Sequence, residues 1–279
     1  TKYNVLTIPC LKDNFSYIVS TTDNKNCVVV DPSNPAYVED AVQNCGFNLK
    51  GILVTHHHIK HVVGLGEVLN KHPELPVYAG EFADSNKKVE RTLRDGDEVT
   101  LEDMEFKAIA APSHSPDSLL FEFTEETGFP FLFTGDVIGL GGVGYCPEDQ
   151  IDALYSLIYD KLINYPDETC IFHGHENGEK MLEFAVSIEP KNQMARDLKW
   201  GLKRTLLKAR SVPGTPSCIH DEKLVNPFFR CNEASVKEKI GEQDPKKVFA
   251  ELVRRNNAFF KRRWMKWIVC WMRGVYWNE

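Results

Sequence analysis

Thr55-His56-His57-His58-Ile59-Lys60-His61 follows the apolar run Gly51-Ile52-Leu53-Val54, and its reading governs the rest of the chain. The apolar run reads as a strand that ends and turns, so that His56 and His58 point the same way. Neutral imidazole nitrogens bind zinc or iron well. A short histidine tract on its own is equally a surface run that binds metal weakly without a fold. Here two further segments supply partners. One is Ala111-Pro112-Ser113-His114-Ser115; the other is Leu132-Phe133-Thr134-Gly135-Asp136, followed later by Phe172-His173-Gly174-His175-Glu176. Only His72 and His220 lie outside these segments, so the histidines are gathered as a metal centre would gather them.

With these residues the chain resembles the metallo-β-lactamase superfamily and, within it, the glyoxalase II (hydroxyacylglutathione hydrolase) family. The signature T-H-x-H-x-D-H is matched at Thr55, His56, His58 and His61. The later single histidine corresponds to His114, F-T-G-D to Phe133 through Asp136, and G-H-E to Gly174 through Glu176. More particular to glyoxalase II are Leu11-Lys12-Asp13-Asn14-Phe15-Ser16-Tyr17, Val30-Asp31-Pro32, Ile188-Glu189-Pro190-Lys191-Asn192, Asn226-Pro227-Phe228-Phe229-Arg230 and Val253-Arg254-Arg255. The resemblance runs from about residue 3 to about residue 260.

The resemblance implies two metal sites. The first would use His56, His58, His114 and a bridging Asp136, all present. The second would use the signature aspartate, His61, His175 and Asp136, and the aspartate is Lys60 here. A carboxylate offsets a divalent charge, whereas an ammonium adds to it and has no lone pair until it loses a proton. Three readings of Lys60 stay open. It replaces the second ion and holds Asp136 in a one-metal enzyme; or it swings to solvent while His61 and His175 keep a weak second ion; or the site is decaying. Neighbouring departures point to a remodelled pocket. Val63 replaces the first of two glycines after the signature, and Ser115-Pro116-Asp117-Ser118 replaces a threonine, small residue, glycine and histidine. The implied glutathione contacts are thinned. A lysine before Tyr145 is absent, Asn177 replaces a tyrosine, and Arg254 is kept while Asn257 stands in a lysine's place. Tyr145 and Arg254 remain the candidate substrate contacts.

At 279 residues, 42% hydrophobic and 26% charged, the chain is long enough for a large buried core. A formal charge of -7 gives no general attraction to nucleic acid. Eight cysteines show no C-x-x-C spacing, and no secretory apolar segment opens the sequence, so free thiols and a reducing, cytoplasmic setting are expected.

Short apolar or alternating runs at 3–8, 16–19, 27–30, 51–55, 76–79, 106–110, 119–123, 131–133 and 169–172 read as strands. Helices are expected at 36–44, 64–72 and 149–164, and from about residue 177 the pattern turns helical, at 181–188, 194–209, 234–240 and 245–260, with a loop at 213–216. The fold class is α/β, with strands and helices suited to face-to-face sheets. The resemblance makes it the αββα sandwich (residues 1–176) with a smaller C-terminal helical domain (177–279). In the tail at 261–279, Trp264, Trp267 and Trp271 share one helix face beside many cations, a pattern for packing on its own domain, for a membrane surface or for a protein partner. Its uncharged core is far shorter than the roughly 20 residues a membrane span needs.

The resemblance implies a metal-dependent hydrolase acting on a thioester such as a 2-hydroxyacyl-glutathione. The donors accept one or two zinc ions, and iron or manganese equally. Lys60 and Asp136 are the candidates for assisting the reaction, Lys60 at the developing oxyanion. The alternatives are a catalytically weak descendant that binds a metal, thiol or partner, and a metallo-hydrolase with another substrate, because one fold hosts many activities.

Overall fold

The computed structural model describes residues 2–81, 89–124, 128–208 and 216–272. The first sheet runs β1 (Tyr3–Cys10), β2 (Asn14–Thr21), β3 (Asn26–Val30), β4 (Asn48–Leu53), β5 (Val77–Ala79) and β6 (Arg91–Thr92) in that spatial order. Its first three strands are antiparallel and the last four parallel. The parallel connections carry α1 (Pro35–Cys45), the single turn α2 (Ile59–Val62) and α3 (Leu65–Lys71). Asn34 caps α1 by accepting from Tyr37 N, with Pro35 in the first turn, where its missing N–H costs nothing.

The second sheet contains β7 (Glu98–Leu101), β8 (Met104–Ala110), β9 (Leu119–Phe123) and β10 (Phe131–Gly135). After the small hairpin of β11 (Ile138–Gly139) and β12 (Gly142–Val143), it is completed by β13 (Cys170–His173) and β14 (Ser217–Cys218). Its order is β14-β13-β10-β9-β8-β7.

Alternation along each strand divides the core. Tyr17, Val19, Val28, Val30 and Leu53 of the first sheet meet Phe106, Phe121, Phe133 and Phe172 of the second. The intervening Ile18, Cys27 and Val29 face Val38 and Val42 of α1, while Ile52 and Val54 face Leu65 and Val68 of α3. Leu120, Leu132 and Ile171 face outward onto a helical layer with Phe184, Phe228, Phe249 and Leu252. Two sheets between two helical layers make the αββα sandwich of the metallo-β-lactamase fold. The strand periodicity of two produces it, because each strand feeds two cores.

The outer helical layer comprises α4 (Ile151–Ser156), α5 (Gly178–Ile188), α6 (Gln193–Lys208), α7 (Ile219–Val225), α8 (Ala234–Ile240) and α9 (Pro245–Met272). The helix expected over 149–164 is a composite, with a 3-10 turn before α4 and π and 3-10 turns after it. Two sequence motifs meet as joinery. Arg230 Nε and Nη2 donate to Glu189 at 2.7 and 3.0 Å, and Asn192 Nδ2 donates to Leu224 O. The C-terminal part is not wholly helical, since β14 adds an edge to the second sheet. Among the described residues no helix is long and apolar enough to cross a membrane. Helix α9 continues through Trp264, Trp267 and Trp271, but the side chains of that face, the end of the tail and residues 213–215 of the expected loop lie outside the description.

Glu222 of α7 is fully buried and ties this layer to the β11–β12 hairpin. Its carboxylate accepts from Gly141 N at 3.1 Å, Asn226 Nδ2 at 2.7 Å and Ser217 Oγ. Burial pushes its carboxyl up to about 7 despite these donors. Glu222→Ala takes a buried acceptor from Gly141 N, Asn226 Nδ2 and Ser217 Oγ and should cost about 3 kcal/mol. Denaturant titration checks this, and a loss below about 1 kcal/mol would rule out an anchoring role.

Candidate metal centre

The expected strand through Thr55 stops at Leu53, and residues 54–58 leave the sheet as a loop that enters α2. His56 and His58 are therefore not alternate residues of a strand, yet the loop still brings their rings to 4.6 Å. His114 lies on the loop between β8 and β9, Asp136 just past β10, and His175 just past β13. These four segments deliver their side chains to one edge of the sandwich. The approach is close enough to require glycine: a Cβ on Gly174 would stand 2.7 Å from both Asp136 Oδ1 and His61 Cε1.

Outer hydrogen bonds fix the imidazole tautomers. His114 Nδ1 donates to Tyr145 O at 3.0 Å, His61 Nδ1 to Asp31 Oδ2 at 2.8 Å, and His175 Nδ1 to Asp13 Oδ1 at 3.1 Å. Thr55 Oγ1 gives its hydrogen to Asp31 Oδ2 and so accepts from His56 Nδ1 at 3.0 Å. Each Nε2 is thereby turned toward Asp136. The distances to its Oδ2 are 3.8 Å from His56, 3.5 Å from His114 and 3.3 Å from His175, and His61 Nε2 is 3.3 Å from Oδ1. His58 Nδ1 is 3.1 Å from His114 Nε2.

Two donor groups result, His56-His58-His114-Asp136 and His61-Asp136-His175, each with its ligand atoms within 4.8 Å of one another. His56 Nε2 and Asp136 Oδ1 are buried without any hydrogen-bond partner. Buried orphans of this kind carry a desolvation cost that a cation between them removes. The residues present therefore fit a divalent ion.

The two groups differ in protonation. Burial, reinforced by His61, pushes His56 down to about 2; burial also lowers His58 and His114. All three are neutral at pH 7 and ready to donate lone pairs. Burial would lower His61 too, but Asp31 and Asp136 outweigh it and bring it up to about 10. His175 is raised likewise by Asp13 and Asp136 against burial. Burial opposes ionisation of Asp136, yet His175 and His61 hold it well below the usual carboxylate range.

Lys60 sits outside both groups. Its ammonium is 3.2 Å from Asp13 Oδ1, and its side chain is half exposed. The hydrogen bond from His175, against burial and with a smaller contribution from Lys60, keeps Asp13 well below the carboxylate range. A cavity of about 380 Å3 opens over the centre, with Lys60, Tyr145, Asn177, Met181, Asn256 and Phe260 among its lining. Tyr145 stands largely exposed at this cavity. Arg254 is not brought there. Its guanidinium is held by Glu148, with Nε 2.8 Å from Oε1, and it faces away from the stripe of α9 that carries Asn256 and Phe260.

The departures near the signature have physical compensations. Val63 takes helical angles (φ -58°, ψ -32°) and is half exposed, so it needs no glycine. Gly64 does, since a Cβ would lie 2.3 Å from Pro32 O. Ser115-Pro116-Asp117-Ser118 forms a turn closed by Ser118 N donating to Ser115 O, with proline at its favoured second position. The buried Asp117 then accepts from His57 N at 2.8 Å and His57 Nδ1 at 2.7 Å, bracing the histidine loop from outside. Sequence reasoning assigned no role to Asp13, Asp31, Asp117 or Asn256. A signal existed for Asp31, an acidic residue ending an apolar strand before proline, where it takes φ +52°.

Comparisons with known proteins agree with this geometry. Residues 12–175 match the metallo-beta-lactamase superfamily, and residues 176–259 match the family described as hydroxyacylglutathione hydrolase C-terminus. A hydroxyacylglutathione hydrolase of Hamiltonella defensa subsp. Acyrthosiphon pisum (strain 5AT) is 34% identical over 90% of this chain and 98% of its own length. One from Vibrio cholerae serotype O1 (strain ATCC 39541 / Classical Ogawa 395 / O395) is 30% identical over 91% of this chain and 99% of its own length. A solved metallo-beta-lactamase of Staphylococcus aureus subsp. aureus COL shares the fold, with 18% identity and a TM-score of 0.63 over 90% of this chain and 73% of that one. From its sandwich, its gathered imidazoles and these relatives, the chain belongs to the hydroxyacylglutathione hydrolase family of the metallo-β-lactamase superfamily.

Proposed function

We propose that this chain hydrolyses the thioester of a 2-hydroxy acid with glutathione, releasing the acid and the thiol. The observation that carries the reading is the convergence of oriented imidazoles on Asp136 at the floor of a cavity, with the buried His56 Nε2 left without a hydrogen bond. The names of the relatives support the substrate class.

His56, His58, His114 and Asp136 would hold one ion, and His61, His175 and Asp136 a second, more weakly. Zinc suits three imidazoles and a carboxylate, as do iron and manganese. When bound, such an ion supplies Lewis acidity, polarising a carbonyl and making water nucleophilic near neutral pH.

The chain's own residues orient and exclude. Asp136 is held anionic by His61 and His175, so it accepts a hydrogen bond from the attacking water and does not donate one. Asp31 and Asp13 keep His61 and His175 aimed at it. The water oxygen bonds to the acyl carbon, the C–S bond breaks, the thiolate leaves with the bond's electron pair, and the proton that the water gives up passes to solvent through the open cavity. With a pKa near 8.5, a thiolate needs no prior protonation to depart. Lys60, tied to Asp13, would act through that carboxylate on His175, whereas Tyr145, which lines the cavity, would meet the thiol carrier.

The test is turnover of lactoylglutathione by the full chain with its metal content measured in parallel. At least one ion per chain and release of free thiol at roughly 1–10³ per second are expected. A metal-loaded chain that binds the thioester without releasing thiol would instead be a binding protein, the reading that Lys60 favours.

A further inference from the structure

Away from the cavity, β13 and β14 bring two cysteines face to face. Cys170 and Cys218 are directly opposed in the antiparallel register of these strands. The ladder decides how close they stand. One step along, Ile219 N donates to Thr169 O at 3.0 Å, while Cys170 N turns the other way to Pro130 O at 3.1 Å. Bonded and non-bonded pairs alternate in such a ladder, so Cys170 and Cys218 form the non-bonded kind. Their Cα atoms then stand about 4.5 Å apart with both side chains on one face. Disulfides span Cα separations of about 4.4–6.8 Å, which places this pair at the short end. Both thiols are partly exposed, whereas Cys10, Cys27, Cys146 and Cys231 are buried.

We propose that Cys170 and Cys218 form a dithiol that closes reversibly to a cross-strand disulfide, fastening β14 and α7 to the second sheet. The oxidant is a small-molecule disulfide. One cysteine thiolate attacks a sulfur of that molecule and expels a thiol; the second thiolate attacks the resulting mixed disulfide and expels another. Two protein thiols are oxidised, one small disulfide is reduced, and two small thiols leave with the protons. Burial raises both cysteine thiols, so closure is slow near neutrality and accelerates with rising pH. The partial exposure of both cysteines leaves the closed bond open to attack by reducing thiols, as a reversible device requires. The closed bond acts on a two-residue strand that leads directly into α7, whose Glu222 holds Gly141 of the β11–β12 hairpin beside the cavity.

The full chain would be incubated with excess oxidised glutathione, digested without reduction and mapped by mass spectrometry. The expected result is a linked Cys170–Cys218 peptide pair, lighter by two hydrogens and separated by dithiothreitol. Oxidised protein should melt several degrees higher than reduced protein, and Cys218→Ser should abolish that difference. Recovery of Cys170 and Cys218 as separate thiols, as lasting glutathione adducts, or bonded to other cysteines would overturn the proposal. A linked pair with an unchanged Tm would overturn the fastening of β14.

Discussion

Asp136→Ala should lower kcat/KM for thioester hydrolysis by ~10³-fold, the scale on which a pre-placed charge acts in a dry site, and should leave less than one ion bound per chain. Asp136 alone belongs to both donor groups. Its Oδ2 faces His56, His114 and His175, and its Oδ1 faces His61. No other carboxylate of the described residues stands in either group, so removing it takes the one negative ligand from among five imidazoles. Asp136→Asn separates charge from shape. It keeps the volume but presents an amide, and should lose nearly as much, because a neutral oxygen neither offsets a divalent charge nor strongly accepts from water. Metal content and initial rates measured on the same samples decide the matter, with near-ultraviolet circular dichroism confirming the fold. An alanine variant that keeps its metal and turns over within about threefold of the parent would remove Asp136 from the reaction.

The layers of the fold were largely legible because a period of two is written into β2, β3 and β9, where successive residues serve different cores. The two-residue β14 was not, since its pairing with β13 is a long-range contact and not a local propensity. The ligands were legible because their residue types are chemically distinctive. The residues that aim them were less so. Asp31 reaches His61 across 30 positions and Asp13 reaches His175 across 162, distances at which only the folded chain shows the pairing. Arg254 illustrates a signal that sequence did contain. Val248, Phe249, Leu252, Val253 and Asn256 are all fully or nearly fully buried and follow helical spacing along α9. Arg254 falls off that stripe onto the side of Glu148, while Asn256 falls on it and reaches the cavity. The helix phase, applied residue by residue, separates the two.

Lys60→Asp should raise the affinity for a second ion by about a hundredfold and move the stoichiometry at pH 7 from near one toward two. In the parent, that ion meets three donors only. It also meets protons: His61 is brought up to about 10 and so carries a proton at neutral pH before metal arrives, and His175 is raised in the same direction. The sign follows from these shifts. A group raised above its ordinary 6.5 keeps its proton until pH climbs toward the raised value, so the second ion competes with protons throughout pH 7–9. Its affinity should rise by up to tenfold per pH unit for each proton displaced. The first group, with His56 brought down to about 2 and His58 and His114 lowered, should bind with little dependence on pH over the same range. Replacing an ammonium by a carboxylate changes the local charge by two. A unit charge at about 4 Å and an effective dielectric near 20 is worth about 4 kcal/mol, and greater distance, salt screening and the half exposure of Lys60 cut the change to the hundredfold expected. The same change frees Asp13 from its cation, which loosens the aim of His175 and limits the gain in turnover to less than the gain in binding. Competition titration of parent and variant at pH 6, 7 and 8 tests the whole chain of inference. Two ions bound by the parent with equal, pH-independent affinity would show that neither the ammonium nor the protonated imidazoles oppose the second site.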